Sequence, residues 1–132
     1  MKNNEYIYNF LKSIGFELIK KDTSEFFGDY SYIFINNSFQ LRFSSSKSFE
    51  TVDIRSSLPN ENWYDLALVK ALLYDEKSLK NITTIEEHRY FLQKELINIA
   101  ELFNDRNYVT TRNRLEELGN ERAKQMFPGI IK

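Results

Sequence analysis

The most regular stretch of the chain, residues 30–43, reads Tyr30-Ser31-Tyr32-Ile33-Phe34-Ile35-Asn36-Asn37-Ser38-Phe39-Gln40-Leu41-Arg42-Phe43. Each half carries an aromatic ring or a leucine at every second position, a period that is typical of β-strands. The polar link Asn36-Asn37-Ser38 tolerates the positive φ of a tight hairpin. This stretch therefore predicts an antiparallel hairpin with strands at residues 30–35 and 39–43.

Two further runs alternate in the same way and flank this hairpin. Phe16 to Lys21 precedes it, and Thr51 to Arg55 follows it. Alternating runs joined by short polar links are typical of an antiparallel meander, in which each strand pairs with the next. The sequence therefore predicts a four-stranded antiparallel sheet. We expect the serine run Ser44-Ser45-Ser46 to be a flexible connection between its last two strands.

A helix is predicted before the sheet. Its apolar residues recur at helical spacing: Tyr6, Ile7, Phe10, Leu11 and Ile14. Asn3 or Asn4 can cap the start of this helix. Gly15 suits the left-handed residue that commonly ends one.

Three helices are predicted after Pro59, where the apolar period changes from two to about three and a half. The residues expected to begin them are, in chain order, Asn60 or Asn62, Thr83 or Thr84, and Thr110 or Thr111. In the middle helix each threonine has a glutamate three positions later, Glu86 or Glu87, which is the spacing of a capping box. The last helix is expected to contain Gly119 and to stop at Pro128-Gly129.

The order of these elements predicts an α+β fold. A chain of 132 residues suits one hydrophobic core, and no repeat or Pro/Gly-rich linker divides it. We therefore expect a single domain over residues 1–132. It would contain an N-terminal helix, a four-stranded antiparallel meander, and three C-terminal helices packed on one face of the sheet.

The two faces of the predicted sheet differ in chemistry. Directly opposed residues of a hairpin share a face, so one face is expected to be apolar and covered by helices. Its members are Tyr30, Tyr32, Phe34, Leu41, Phe43, Val52 and Ile54. The other face is expected to be exposed and to carry Ile33, Ile35, Arg42, Asp53 and Arg55, together with Ser31, Gln40 and Thr51.

Apolar side chains among charges, as on this second face, are typical of a transient protein interface. Single isoleucines and cross-strand charge pairs are also common on ordinary exposed strands. We interpret the five isoleucine, arginine and aspartate residues of that face as a candidate partner-binding surface. The edge around Trp63 and Tyr64 is a rival, because a large ring near a helix start can anchor a partner.

Charge and composition exclude several classes of protein. The chain has 18 basic and 19 acidic residues and a net charge of −1, so no long-range field would attract a polyanion. The absence of cysteine excludes disulfides, thiolate nucleophiles and thiolate metal sites. No signal-peptide pattern is present, and no apolar run approaches the ~20 residues needed to span a bilayer. We expect a cytoplasmic protein without a membrane association.

The residues that usually carry catalysis do not form a recognisable constellation. His88 is the single histidine, and its neighbours lack the paired-ligand spacing of zinc-binding helices. It is expected to be a partly buried helix residue. No serine has nucleophile-elbow glycines around it, and the four glycines are too scattered for a phosphate loop. We therefore predict no catalytic residue, no metal ligand and no cofactor.

The most basic stretch offers a nucleic-acid alternative. Arg106, Arg112 and Arg114 are interleaved with Tyr108, and such a pattern can bind RNA or single-stranded DNA. Three glutamates, Glu116, Glu117 and Glu121, follow directly and cancel the charge. Pairing of opposite charges on a solvated helix face is therefore favoured, although a nucleic-acid-associated regulator stays open.

The C-terminal half contains Trp63-Tyr64-Asp65-Leu66 opening a helix, a short polar break, a long helix ending Glu101-Leu102-Phe103, and the close Glu121-Arg122-Ala123-Lys124-Gln125-Met126-Phe127. In these features it resembles small bacterial immunity proteins of polymorphic-toxin and contact-dependent inhibition systems. It implies a small cytoplasmic α+β protein that covers the active site of a cognate toxin. Binding residues differ from pair to pair in such groups, so the resemblance assigns none here.

Three functions from different classes remain. The first is a protein-binding inhibitor, an immunity protein that occludes its toxin. The second is a small ligand-binding or enzymatic domain with a pocket between sheet and helices, for which Trp63, Tyr64 and His88 are candidate wall residues. The third is the nucleic-acid-associated regulator.

Overall fold

A computed structural model describes residues 2–23, 29–47 and 49–129, with side chains from Tyr6 onward. The chain forms two compact units, residues 1–63 and 64–132. The described residues contain both an antiparallel sheet and four helices, so the predicted α+β class is confirmed. No helix in the described ranges is long and apolar enough to cross a bilayer.

The first unit is a helix followed by an antiparallel meander. Its elements are α1 (Lys2–Ser13), β1 (Glu17–Thr23), β2 (Tyr30–Ile35), β3 (Phe39–Ser46) and β4 (Phe49–Ser56). Each strand pairs with the next along the chain, as predicted. Helix α1 begins at Lys2, so Asn3 and Asn4 lie inside it and neither is the predicted cap.

The central hairpin has the predicted register. Tyr32 lies opposite Phe43, and Phe34 lies opposite Leu41. The Asn36 side chain holds the turn, because its Oδ1 accepts hydrogen bonds from the backbone N–H groups of Ser38 at 2.7 Å and Phe39 at 2.8 Å. A short amide side chain that bonds its own downstream backbone is a recurrent device of tight turns.

The serine run was expected to be a loop, and this expectation is wrong. Ser44 and Ser45 continue β3 and lie opposite Thr51 and Glu50 of β4. The backbone of the serine run pairs with β4 although its side chains are polar. The strand therefore extends beyond the residues that alternate apolar and polar side chains. The reversal falls beyond the run, where Lys47 takes a left-handed φ of 52°.

The apolar face of this meander is buried, as predicted, except at Tyr30, which is partly exposed. Its fully buried members are Phe34, Phe39, Leu41, Phe43, Val52 and Ile54. Helix α1 covers part of this face, since Leu11 is buried and the Tyr8 ring lies 6.3 Å from that of Phe34. Gly15, at φ +97°, allows the chain to leave α1 and enter β1, and here its conformation is the predicted left-handed one.

The second unit contains the helices α2 (Leu66–Tyr74), α3 (Ile85–Leu102) and α4 (Tyr108–Met126). It also contains a two-residue strand, β5 (Tyr64–Asp65), so the described residues form five strands where four were predicted. The capping box of α3 is formed by Thr84 and Glu87, one of the two predicted pairs. Helix α4 starts at Tyr108, slightly before the predicted threonines. Packing of these helices on the sheet, and a single domain over residues 1–132, stay predictions.

The start of α2 differs from the expectation that Asn60 or Asn62 caps it. Asp65 is the N-cap, and its Oδ1 accepts the Ala67 backbone N–H at 2.9 Å. Asn60 instead adopts a positive φ of 63°, whereas a cap normally requires an extended backbone. Trp63 therefore precedes the helix that was predicted to include it.

Side chains of α4 hold the segments before α2 and α3 in place. Arg122 Nη1 donates to Asp65 Oδ2 at 2.8 Å. The Gln125 amide accepts the Leu79 backbone N–H at 2.7 Å and donates to the Lys77 carbonyl at 2.8 Å. The two Gln125 hydrogen bonds satisfy backbone groups of the irregular segment between α2 and α3, where helix or strand pairing does not satisfy them.

Candidate interaction surface

The outer face of the meander brings the predicted partner-binding residues together. In one cross-strand row, Arg42 lies opposite both Ile33 and Asp53. In the neighbouring row, Gln40 lies opposite both Ile35 and Arg55. All six side chains are partly exposed, so they form a surface that neighbouring residues cover only in part.

Trp63 joins this surface from the segment that follows β4. The Arg42 Cζ lies 4.5 Å from the centroid of its ring, and the Arg55 Cζ lies 4.3 Å from it. Cations at this distance over an indole are attracted by the negative potential of the ring face. We call Ile33, Ile35, Arg42, Asp53, Arg55 and Trp63 the outer-face cluster.

The two arginines of the cluster have different polar partners. Arg42 Nη2 donates to Asp53 Oδ2 at 2.9 Å, and Arg42 Nε approaches the same oxygen at 3.3 Å. The Arg42 and Asp53 side chains are only 32% and 20% exposed, so solvent screens their attraction less than it would on an open surface. Arg55 Nη2 donates to the neutral Gln40 Oε1 at 2.6 Å. In the described part of the chain, Arg55 forms no ion pair with a carboxylate.

The structure thus groups six of the seven predicted partner-binding residues. Tyr64 is the exception, since it is buried in the second unit and its hydroxyl donates to Glu116 Oε1 at 2.6 Å. Sequence reasoning placed Trp63 with Tyr64 and did not give Gln40 a role. The cross-strand position of Gln40 beside Arg55 was a usable signal for that role.

His88 is buried, as expected for a structural helix residue, with 3% of its surface exposed. Its Nδ1 has no hydrogen-bond partner among the described residues. Burial lowers the pKa of His88 to about 4, and the nearby Lys70 acts in the same direction, while Asp65 and Glu87 oppose it. The ring is therefore neutral at physiological pH and is shielded from any substrate in solvent.

A cleft of about 390 Å³ in the second unit is lined by Lys70, Glu76, Glu87 and Arg122, among others. Lys70 Nζ lies 2.7 Å from Glu76 Oε2, and Arg122 pairs with Asp65. Hydrogen bonds from Thr84 lower the pKa of Glu87, which keeps it ionised. These four charged groups are therefore engaged in structural contacts.

The described residues contain no group of three histidine, aspartate or glutamate side chains that could hold a metal ion.

The basic stretch around Arg112 differs from a nucleic-acid platform, because Tyr108 is buried at 1% exposure. Its ring lies under the Arg112 guanidinium at 5.8 Å. A buried ring cannot stack on a base, so the arginines there lack the aromatic platform that the sequence suggested.

Comparison with protein-family models, with curated proteins and with solved structures finds no match to this chain.

Proposed function

We propose that this chain is a non-enzymatic protein-binding inhibitor, an immunity protein that neutralises a cognate bacterial toxin by occlusion. The proposal depends on one observation, the grouping of Trp63, two arginines and two isoleucines on a partly exposed sheet face. The resemblance of the C-terminal half to immunity proteins supports the class of partner.

The composition of the outer-face cluster supports binding to a protein. Tryptophan and arginine are the residues most enriched among those that contribute most binding free energy at interfaces. Ile33 and Ile35 add apolar area beside them, and the Arg42–Asp53 pair provides charges that select a partner.

The contacts within the cluster also favour binding without large rearrangement. The Arg42 and Arg55 guanidinium groups already lie over the Trp63 ring. Each also donates a hydrogen bond, Arg42 to Asp53 and Arg55 to Gln40. Side chains that are ordered before binding lose less conformational entropy when the partner arrives. Such a surface suits stoichiometric occlusion, which requires no chemistry from the inhibitor.

Co-expression tests the function itself. Cells that express the cognate toxin should survive when this chain is co-expressed and should die with an empty vector. The product of the adjacent gene is the first candidate to test. The purified chain should form a stoichiometric complex with that toxin and abolish its activity. Continued killing in the presence of well-folded chain would contradict the proposed function.

Variants then test the surface. We expect Trp63→Ala to weaken toxin binding by about 2 kcal/mol or more, as truncation of a central interface ring does. Arg55→Glu should weaken it by about 1–3 kcal/mol through lost attraction and new repulsion. Isothermal titration of each variant against the same toxin measures both changes.

Two controls separate this surface from its rival. Lys12→Glu reverses an exposed charge on α1, the helix on the opposite face of the meander. This variant should bind the toxin normally. Tyr64→Phe removes only the hydroxyl that contacts Glu116 and should also bind normally. Normal binding by the Trp63 and Arg55 variants together with a loss in Tyr64→Phe would show that the wrong surface had been chosen.

A further inference from the structure

The outer-face cluster carries one positive charge that its own carboxylate does not neutralise. Asp53 is paired with Arg42 at 2.9 Å. The second arginine, Arg55, has a neutral amide as its hydrogen-bond partner and an indole ring beneath it. An amide oxygen accepts a hydrogen bond but cancels no charge, so the cluster has a net charge of +1 from Arg42, Arg55 and Asp53.

The charges that β1 places on the outer face leave this positive charge in place. Lys20 and Asp22 of β1 lie 3.7 Å apart and compensate each other. Glu17 is in the same cross-strand row as Arg55, but Ile35 and Gln40 lie between them. Three strand spacings amount to about 14 Å, which exceeds the Debye length of about 8 Å at physiological ionic strength.

We propose that Arg55, which lies over the Trp63 ring, binds the carboxylate of an aspartate or glutamate side chain on the protein partner. This inference rests on the proposed protein-binding function and names the chemistry of the partner at that site. A guanidinium is a planar donor that can meet both oxygens of a carboxylate. Gln40 accepts one Nη2 hydrogen bond, and among the described residues no other side-chain N–H group of Arg55 has an acceptor, so these groups can donate to the partner.

The contact with Trp63 strengthens this site in two ways. It holds the Arg55 Cζ atom 4.3 Å from the ring centroid, so less side-chain freedom is lost when a carboxylate binds. The indole also replaces water on one face of the guanidinium, which reduces screening of the charge.

A protein carboxylate fits this surface better than a nucleic-acid phosphate chain does. Nucleic-acid binders neutralise several phosphates with several cations, whereas this cluster has one uncompensated arginine and the whole chain has a net charge of −1. The adjacent Ile33 and Ile35 also favour apolar side chains of a protein segment over a sugar-phosphate backbone.

Trp63 is the only tryptophan of the chain, so its indole N–H signal in NMR reports on this site alone. The probes are a short capped peptide of alternating aspartate and glycine and its asparagine counterpart, at low salt. We expect a saturable shift of the indole signal with the aspartate peptide and none with the asparagine peptide. Arg55→Gln should weaken binding of the aspartate peptide about fivefold, since it removes one exposed charge-assisted contact.

Controls make each outcome decisive. Lys12→Glu should bind the aspartate peptide as the parent chain does, and an unchanged melting temperature of Arg55→Gln shows that this variant is folded. Equal shifts with both peptides, no shift with either, or unaltered binding by Arg55→Gln would overturn the inference. Tighter binding of a single-stranded RNA oligonucleotide than of the aspartate peptide would also overturn it, in favour of phosphate.

The peptide titration tests the carboxylate site separately from the proposed inhibitor function. If the toxin binds through Trp63 but the aspartate peptide leaves the indole signal unmoved, the carboxylate site is wrong and the inhibitor function stands. If the peptide binds through Arg55 and no toxin is neutralised, the inhibitor function is wrong and the carboxylate chemistry stands.

Discussion

His88 places an ionisable ring inside the core of the second unit. Its Nδ1 is buried without a partner in the described part of the chain, and burial lowers its pKa from 6.5 to about 4. The folded state therefore binds fewer protons than the unfolded state between about pH 4 and pH 6.5. Protonation must favour unfolding, and stability that is present above about pH 6.5 is lost as the pH falls toward 4.

We expect the free energy of unfolding to decrease by about 3 kcal/mol between pH 6.5 and pH 4, since each unit of pKa difference corresponds to ~1.4 kcal/mol. Urea unfolding at a series of pH values measures this slope. His88→Gln supplies the control, because it keeps a polar side chain that does not titrate. An identical slope in the parent chain and in His88→Gln would assign the acid sensitivity to other groups.

At the scale of an element, α4 carries a glycine that its packing does not require. A Cβ built on Gly119 would meet only Leu68 Cδ1 at 3.8 Å, an ordinary contact. Gly119→Ala should therefore raise stability by about 0.5–1 kcal/mol, because alanine loses less backbone entropy in a helix. The denaturant midpoint should rise with an unchanged m-value.

Gly15 provides the contrasting substitution. It also has open space around it, but its φ of +97° is one that side chains with a Cβ rarely adopt. Gly15→Ala should lower stability by about 1 kcal/mol or more. If both alanine variants changed stability in the same direction, backbone conformation would not be the cause.

At the scale of the whole molecule, the sequence predicts one cooperative domain, and the chain offers separate reporters to test it. Trp63 lies in the first unit, whereas most helical residues lie in α2, α3 and α4 of the second. Thermal unfolding followed by Trp63 fluorescence and by helical circular dichroism should give coincident transitions. Two separated midpoints would show that the units unfold independently.

The faces of the sheet could be predicted from the sequence because they depend on a local rule. Alternate side chains of a strand point to opposite sides, and the turn at Asn36 sets the pairing of β2 with β3. From these two facts follow the burial of Phe34 and Leu41 and the partly exposed outer positions of Ile33 and Arg42. The capping box of Thr84 and Glu87 is equally local.

Only the tertiary structure decided where Trp63 lies. It placed the ring in the outer-face cluster against Arg42 and Arg55, and it made Asp65 the cap of α2. The segment between β4 and β5 has no regular apolar periodicity. Its path therefore depends on the tertiary contacts of the Trp63 ring and of the turn at Asn60, and not on neighbours in sequence. The same holds for Arg55, whose pairing with Gln40 in preference to a carboxylate follows from cross-strand geometry. Periodicity determines which side of a strand a residue occupies, whereas the partners available there are set by residues that the fold brings in from elsewhere in the chain.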